Sequence, residues 1–194
     1  RTRTRTRRIG AACTASPKSR LFPFSLRTAL FGKDVLRSAT RLVLRPKDRF
    51  EATRAAVIVL QEWWGVNDVV LAHARRLRDE LGVTVLVPDL YRGELRVDVE
   101  EAHHLMTNMD WKVATEEIRE AAAWLRAERK AERVGVVGFC MGGALTLGAA
   151  SKAPFDAAAP FYGVNFDLLD AAALKDTPVQ GHFGKLDEMV GFSD

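Results

Sequence analysis

Gly138-Phe139-Cys140-Met141-Gly142-Gly143 joins a short apolar run to a segment of small residues with the character of a helix. A cysteine between glycines at such a junction fits a sharp, strained turn, because glycine lacks the Cβ atom that would collide with the neighbouring strand and helix. The helix that follows would favour a thiolate and aim free N–H groups at it. We therefore interpret Cys140 as a candidate nucleophile and the Met141 N–H as an oxyanion donor. The alternative is a buried cysteine in a tightly packed turn.

Segments on both sides of this turn alternate between predicted strands and helices. Five apolar or β-branched runs predict strands, as in a parallel sheet buried on both faces: Ala55–Gln61, Val83–Val87, Val134–Val137, Phe155–Phe161 and Pro178–Phe183. Caps and helical spacing predict helices between Asn67 and Gly82, inside 111–130, and over Met141–Ala150. We interpret the segment between the second strand and residue 111 only as mixed and polar. The predicted fold class is α/β, with helices on both faces of the sheet.

Composition excludes several classes of protein. The chain has 194 residues, of which 47% are hydrophobic and two are cysteine. Two cysteines cannot form the framework of a disulfide-stapled secreted scaffold, and no apolar run approaches the roughly 20 residues that span a bilayer. We therefore expect one soluble domain and no membrane partner.

Charge divides the chain into two parts. Residues 1–45 hold 12 of the 29 Lys and Arg residues but only one of the 25 acidic residues, so they carry +11 and residues 46–194 carry −7. Such a basic, Ser- and Thr-rich segment is typical of an organellar transit peptide, or of a low-complexity tail. We predict a leader over 1–45 and one domain over 46–194.

The charge distribution also bears on partners and location. The acidic domain lacks the basic footprint that nucleic-acid binding requires, so we expect no nucleic-acid partner. We expect a monomer or a weak homo-oligomer. We expect the protein in the cytoplasm, or in the chloroplast or mitochondrion if the leader is a transit peptide.

Four motifs resemble those of the dienelactone hydrolase family, the carboxymethylenebutenolidases, over about residues 55–194. Besides the cysteine turn they are Gln61-Glu62-Trp63-Trp64-Gly65-Val66-Asn67, Pro88-Asp89-Leu90-Tyr91 and Gly181-His182-Phe183-Gly184-Lys185-Leu186-Asp187. The turn itself matches the nucleophile elbow of α/β-hydrolases, with cysteine in the place of serine. The resemblance implies an α/β-hydrolase fold and a Cys-His-Asp enzyme that opens an unsaturated lactone through a thioester acyl-enzyme. It implies no metal and no organic cofactor.

The resemblance also implies roles for individual residues. Cys140 is the nucleophile, Asp187 orients the catalytic histidine, Glu62 lies beside the thiol and takes part in its activation, and the Trp63 N–H is the second oxyanion donor. From the residues alone, Asp187 has the right place in the order nucleophile, acid, histidine, although a loop aspartate can also cap a turn. Glu62 ends an apolar strand, so its charge must face a cleft or a partner.

The chain departs from the family where the base should be. No histidine follows Asp187, and the histidines that are present lie at other motif positions: His73, His103, His104 and His182. We expect that the chain is truncated, that the last strand and helix are missing, and that the catalytic histidine lies beyond Asp194. Such a chain would hydrolyse substrate poorly and leave a sheet edge uncovered.

Substrate contacts depart from the family as well. Tyr91 and Arg92 are candidate substrate-binding residues, with Arg96 as a substitute, although arginines after a strand are usually only solvated. Family enzymes anchor a substrate carboxylate with arginines, and Val99 stands at one of those positions. His103 stands where the family often has tyrosine. Both departures favour a different acyl or lactone substrate.

Two functions therefore stand as hypotheses. The first is a carboxylic ester or lactone hydrolase with a cysteine nucleophile and a small-molecule substrate, which the elbow and its context favour. The second is a catalytically silent α/β-hydrolase-fold protein that binds a ligand.

Overall fold

The computed structural model of the chain describes residues 35–38, 41–46, 53–188 and 190. Its strands are β1 Val35–Ser38, β2 Arg41–Leu44, β3 Ala55–Leu60, β4 Thr84–Pro88, β5 Arg133–Phe139 and β6 Ala157–Phe161. Its helices are α1 Asp68–Leu81, α2 Val99–Asn108, α3 Trp111–Arg129 and α4 Met141–Ala150, with a short 3-10 helix at Ala171–Leu174.

The strands form one sheet in the order β1-β2-β4-β3-β5-β6. The four strands from β4 to β6 in this order are parallel, and β1 and β2 add an antiparallel edge. Helices connect the parallel strands and cover both faces, since one set of buried side chains joins the sheet to α3 and α4 and another joins it to α1. The predicted α/β class, with a mostly parallel sheet, is confirmed.

The antiparallel edge comes from the range that we predicted to be a leader. In β2, Arg41 lies opposite Pro88 of β4, and Val43 and Leu44 are buried. The sheet therefore includes residues before position 46, the predicted start of the domain. Residues 1–34 lie outside the described residues, so a leader there stays a prediction.

The cap residues of α1 act as predicted. The Asn67 side chain accepts hydrogen bonds from the Val69 and Val70 N–H groups, each at 3.1 Å. Gly82 ends the helix in the left-handed conformation, at φ 61°. The Asn67 cap fixes the start of α1, directly after the turn that carries Glu62 and Trp63.

Two segments differ from the sequence prediction. Residues 178–183 run parallel to β6, with Val179 opposite Ala158 and His182 opposite Phe161, but they form two isolated bridges instead of a continuous strand. The segment interpreted as mixed and polar contains α2, which the Asp98 side chain caps. This helix buries Ala102 alone, but its apolar residues recur as regularly as those of α3, so the sequence analysis missed a helix that the pattern could have predicted. None of the described helices is long and apolar enough to cross a membrane.

Glycines let α4 touch the strand ends directly. A Cβ atom on Gly138 would lie 2.1 Å from the Gly142 oxygen, and one on Gly142 would lie 2.6 Å from the Gln61 oxygen. A Cβ on Gly163 would lie 1.8 Å from the Cys140 oxygen. These backbone contacts hold the first turn of α4 against the ends of β3 and β6, as the glycine pattern predicts.

Two glycines of β5 offer a matched test of this packing. Gly138→Ala should lower the free energy of unfolding by about 3 kcal/mol, because the new methyl group meets backbone that cannot move aside. Gly135→Ala should change it by less than about 1 kcal/mol, because its methyl group would lie 3.6 Å from the nearest atom. Urea unfolding followed by circular dichroism measures both. Equal losses would show that the close approach at Gly138 does not matter.

Candidate active site

Cys140 occupies a strained backbone position between β5 and α4. Its φ is 54° and its ψ is −118°, a conformation that residues with a side chain seldom adopt and that costs of order 1–3 kcal/mol. Hydrogen bonds hold it there: the Cys140 N–H donates to the Phe161 oxygen at 3.0 Å, and the Cys140 oxygen accepts from Gly143 N–H at 2.8 Å. The strained turn predicted from the glycine spacing is present.

Burial and three neighbouring groups set the protonation of the Cys140 thiol, which is half-buried. Burial raises the pKa of the thiol most, and a hydrogen bond from the Met141 N–H lowers it. The negative charges of Glu62 and Asp187 raise the thiol pKa further. The fold thus brings together the four residues predicted for nucleophile, oxyanion donor and acids. At neutral pH the sulfur keeps its proton in this environment.

Glu62 has a tyrosine partner that the sequence analysis missed. The Tyr162 hydroxyl donates a hydrogen bond to Glu62 Oε1 at 2.9 Å. Burial, this hydrogen bond and the charges of Glu62 and Cys140 raise the pKa of Tyr162, so the hydroxyl stays a donor. Tyr162 directly follows β6 and has φ 37°. Its place after a parallel strand, at the same sheet edge as Cys140, is the signal that could have found it.

Asp187 has the turn-capping contact considered for it, and its role in orienting a histidine stays a prediction. Its Oδ1 accepts a hydrogen bond from the Val190 N–H at 3.1 Å, which is a turn-capping contact. Its charge also raises the pKa of the Cys140 thiol. A capping role and an electrostatic role at the site are therefore compatible.

Trp63 follows Glu62 in the turn after β3. Its ring meets the Trp64 ring edge-on at 5.1 Å and packs against buried side chains of the core. These contacts hold the Trp63 ring in place. The Trp63 backbone lies beside the elbow, because Gln61 of the same turn lies against Gly142 of α4. That its N–H binds an oxyanion stays a prediction.

The candidate substrate residues are occupied by other partners. Tyr91 is buried, and its hydroxyl donates to Met141 Sδ at 3.1 Å. Burial, followed by the charge of Cys140, raises the pKa of Tyr91 to about 12. Arg92 forms an ion pair with Glu117 of α3. Substrate binding by Tyr91 and Arg92 stays a prediction.

Arg96, the substitute arginine, and Val99, the position aligned with a family arginine, follow Tyr91 and Arg92 along the chain. Arg96 is paired with Glu94 and lies 3.6 Å from a Glu101 oxygen. Val99 begins α2 and is exposed, as is His103 in the next turn. Both arginines after the Pro88-Asp89-Leu90-Tyr91 block therefore have carboxylate partners.

The four histidines lie away from the thiol. The His73 ring stacks on Phe139 at 4.6 Å and the His182 ring on Phe161 at 4.1 Å, both against an open groove of about 690 Å³ between α1 and the sheet. Cys140 does not line this groove. His103 and His104 are exposed on α2. Within the described part of the chain, no histidine forms a hydrogen bond with the thiol and no cluster of ligating side chains suits a metal ion.

A mostly parallel sheet with a strained strand-to-helix turn at its carboxyl edge defines an α/β-hydrolase. Residues 40–194 match the family profile of the dienelactone hydrolases. The chain belongs to the dienelactone hydrolase family.

Individual relatives support this assignment. A protein of Aquifex aeolicus provisionally named carboxymethylenebutenolidase is 34% identical over 56% of this chain and 51% of its own length. The carboxymethylenebutenolidase of Pseudomonas putida is 28% identical over 72% of this chain and 64% of its own length. The chain thus spans about half to two thirds of these relatives.

A solved structure shows the same fold. The protein, from Klebsiella pneumoniae and provisionally named dienelactone hydrolase, superposes with a TM-score of 0.59. The two are 23% identical, and the match covers 73% of this chain and 65% of that one.

The charges around the thiol predict a specific pH profile of alkylation. Glu62→Gln and Asp187→Asn should each shift the reaction of Cys140 with iodoacetamide to lower pH and make it several-fold faster at neutral pH, because each removes a negative charge that raises the thiol pKa. Mass spectrometry of the Cys140 peptide measures the rate separately from that of Cys13.

Glu117→Gln is the matched control for this experiment. It removes a carboxylate of α3 that is paired with Arg92, so the pH profile of Cys140 alkylation should not change. An unchanged profile in both site variants would contradict the electrostatic coupling.

Proposed function

We propose that this protein hydrolyses a lactone or small ester, with Cys140 as the nucleophile and a thioester as the acyl-enzyme. The observation that carries the proposal is the backbone of Cys140, strained at φ 54° and ψ −118° with the Met141 N–H directed at its sulfur. Strain of this kind persists where the surrounding structure holds a reactive group in place. The name of the Pseudomonas putida relative supports the same reaction class.

The first step is activation of the thiol. Burial and two carboxylates keep it protonated, so free enzyme holds little thiolate. We assign to Glu62 the acceptance of this proton when substrate fills the cleft, since it is the carboxylate beside the thiol. The Tyr162 hydroxyl, at 2.9 Å, holds Glu62 in position. Activation would therefore depend on bound substrate, which protects the free thiol from other electrophiles.

The thiolate then forms a bond to the substrate carbonyl carbon, and the carbonyl oxygen takes the negative charge. The Met141 N–H and the Trp63 N–H are the proposed donors to that oxygen. The carbon–oxygen bond of the ring breaks as the tetrahedral intermediate collapses, the ring oxygen leaves with the electron pair and takes the proton held by Glu62, and the opened substrate remains as a thioester on Cys140. Water hydrolyses the thioester and returns a proton to the sulfur.

The base for the last step is the histidine that the family resemblance implies, oriented by Asp187. We propose that it is none of the four described histidines, because their rings face the groove beside α1 or solvent on α2. Such a base would meet Cys140 and Asp187 at the carboxyl edge of the sheet.

The substrate we propose carries no carboxylate on the side of Arg92 and Arg96. Each guanidinium already has a carboxylate partner, Glu117 for Arg92 and Glu94 for Arg96. A carboxylate substrate would have to displace these partners. A neutral lactone or ester would not.

The second candidate is an α/β-hydrolase-fold protein that binds a ligand without turnover. The placement of the described histidines favours it, since none of them contacts the thiol. It predicts that ligands bind but that no acyl group is released.

Hydrolysis measurements on a protein that includes the histidine base separate the two candidates. Cys140→Ala should reduce turnover of an unsaturated lactone and of p-nitrophenyl acetate by at least about 1,000-fold, because the attacking atom is gone. Cys140→Ser should retain little activity, since the hydroxyl needs a stronger base than the thiol. Progress curves before and after iodoacetamide measure the same dependence in the unchanged protein.

Cys13→Ser is the control for these variants, and it should react like the unchanged protein. Circular dichroism and urea unfolding show whether Cys140→Ala is folded. Turnover retained in folded Cys140→Ala would remove Cys140 as the nucleophile. Ligand binding without turnover in a protein that includes the histidine base would favour the silent alternative.

A further inference from the structure

Two arginines stack on one tryptophan of α3, and the positive charge of a third arginine acts on one of them. The guanidinium carbon of Arg41 lies 4.6 Å from the centre of the Trp124 ring, and that of Arg129 lies 4.9 Å from it. Arg45 directly follows β2, on the same strand face as Arg41, because side chains alternate along a strand. Val43 lies between them and packs in the core that includes α3. We call Arg41, Arg45, Trp124 and Arg129 the arginine cluster.

The cluster contains buried donors without acceptors. The Nε atoms of Arg45 and Arg129 are both buried and have no hydrogen-bond partner. No salt bridge among the described residues joins Arg41, Arg45 or Arg129 to a carboxylate. A buried charged donor left unpaired is unfavourable, since it has lost water and gained nothing in exchange.

Like charges add to this cost. Burial lowers the pKa of Arg129 most, followed by the positive charge of Arg45, with a smaller lowering effect from Arg41. Glu128 opposes this effect only in part. The positive charges of Arg45 and Arg41 therefore both act on the Arg129 guanidinium.

Local structure accounts for part of the arrangement only. The carboxyl end of α3 favours cations, and ring stacking favours the positions of Arg41 and Arg129. Neither effect supplies an acceptor for the two Nε–H groups, and neither explains Arg45. An anion between Arg45 and Arg129 would answer both points.

We propose that the arginine cluster binds a small phosphate-type oxyanion, with Arg45 and Arg129 as its donors and Arg41 as additional charge. Tetrahedral oxyanions accept several hydrogen bonds at once, which suits the fixed N–H geometry of guanidinium groups. Because the two Nε atoms are buried, the group that reaches them must be small. We therefore favour a free phosphate or the phosphate of a small molecule over a lipid headgroup fixed in a bilayer.

This site is separate from the thiol. Arg129 ends α3 just before β5, whereas Cys140 follows β5. The seven residues of β5 therefore lie between them, a span of about 20 Å. The proposal does not depend on the hydrolase reaction, and its test does not measure turnover.

Titration calorimetry with inorganic phosphate, at constant ionic strength with chloride as the matched salt, tests the site. The unchanged protein should bind one phosphate saturably. Arg45→Gln and Arg129→Gln should each weaken binding by at least about tenfold, since each removes a charged hydrogen bond to the anion. Arg133→Gln is the control: it removes the same charge from an exposed arginine at the start of β5 and should change the affinity less than about twofold.

Thermal unfolding checks that the variants are comparable. Phosphate should raise the melting temperature of the unchanged protein and of Arg133→Gln, because it binds the folded state, but not that of the two cluster variants. Equal weakening by Arg133→Gln, or no saturable binding in the unchanged protein, would overturn the proposal. Binding to phosphatidic acid vesicles without binding of free phosphate would overturn it as well.

Discussion

The site depends on the backbone of one residue. Cys140 has a φ of 54°, and the hydrogen bond from its N–H to the Phe161 oxygen ties this conformation to the end of β6. Glycines remove the side chains that would otherwise keep α4 from the strand ends, as the close approach of Gly142 to Gln61 shows. The packing of the sheet therefore offsets the free-energy cost of the strained turn. The position of the sulfur, and of every group around it, follows from this junction.

The electrostatic effects on the Cys140 thiol oppose one another. The first turn of α4 directs the Met141 N–H at the sulfur and favours the thiolate, whereas burial, Glu62 and Asp187 favour the thiol. The thiol pKa is raised on balance, so the resting site is unreactive. The activation by bound substrate proposed above would have to shift this balance toward the thiolate.

Local patterns predicted the parts of the fold that are set by local chemistry. Continuous apolar runs identified the central parallel strands, and Asn67 and Gly82 identified the ends of α1. The spacing of glycines around Cys140 identified the elbow, since the steric reason for those glycines is independent of the rest of the chain.

The remaining features depend on contacts between distant residues. β2 has only four residues, Arg41 followed by three apolar residues, and its pairing with β4 is what makes it a strand. Tyr162 acts on Glu62 from 100 residues away. Substrate binding by Arg92 stays a prediction, and nothing nearby in sequence indicates its partner Glu117. Charge counted along the chain likewise does not show which arginines gather around Trp124.

The central claim is that the strained turn makes Cys140 the group that carries the acyl intermediate. Mass spectrometry of the protein quenched at early times after mixing with p-nitrophenyl acetate tests it most directly. We expect one acetyl group on the Cys140 peptide, formed at the rate at which p-nitrophenol is released. An acetyl group on another residue at that rate, or release of p-nitrophenol with no adduct on Cys140 at any time, would contradict the account.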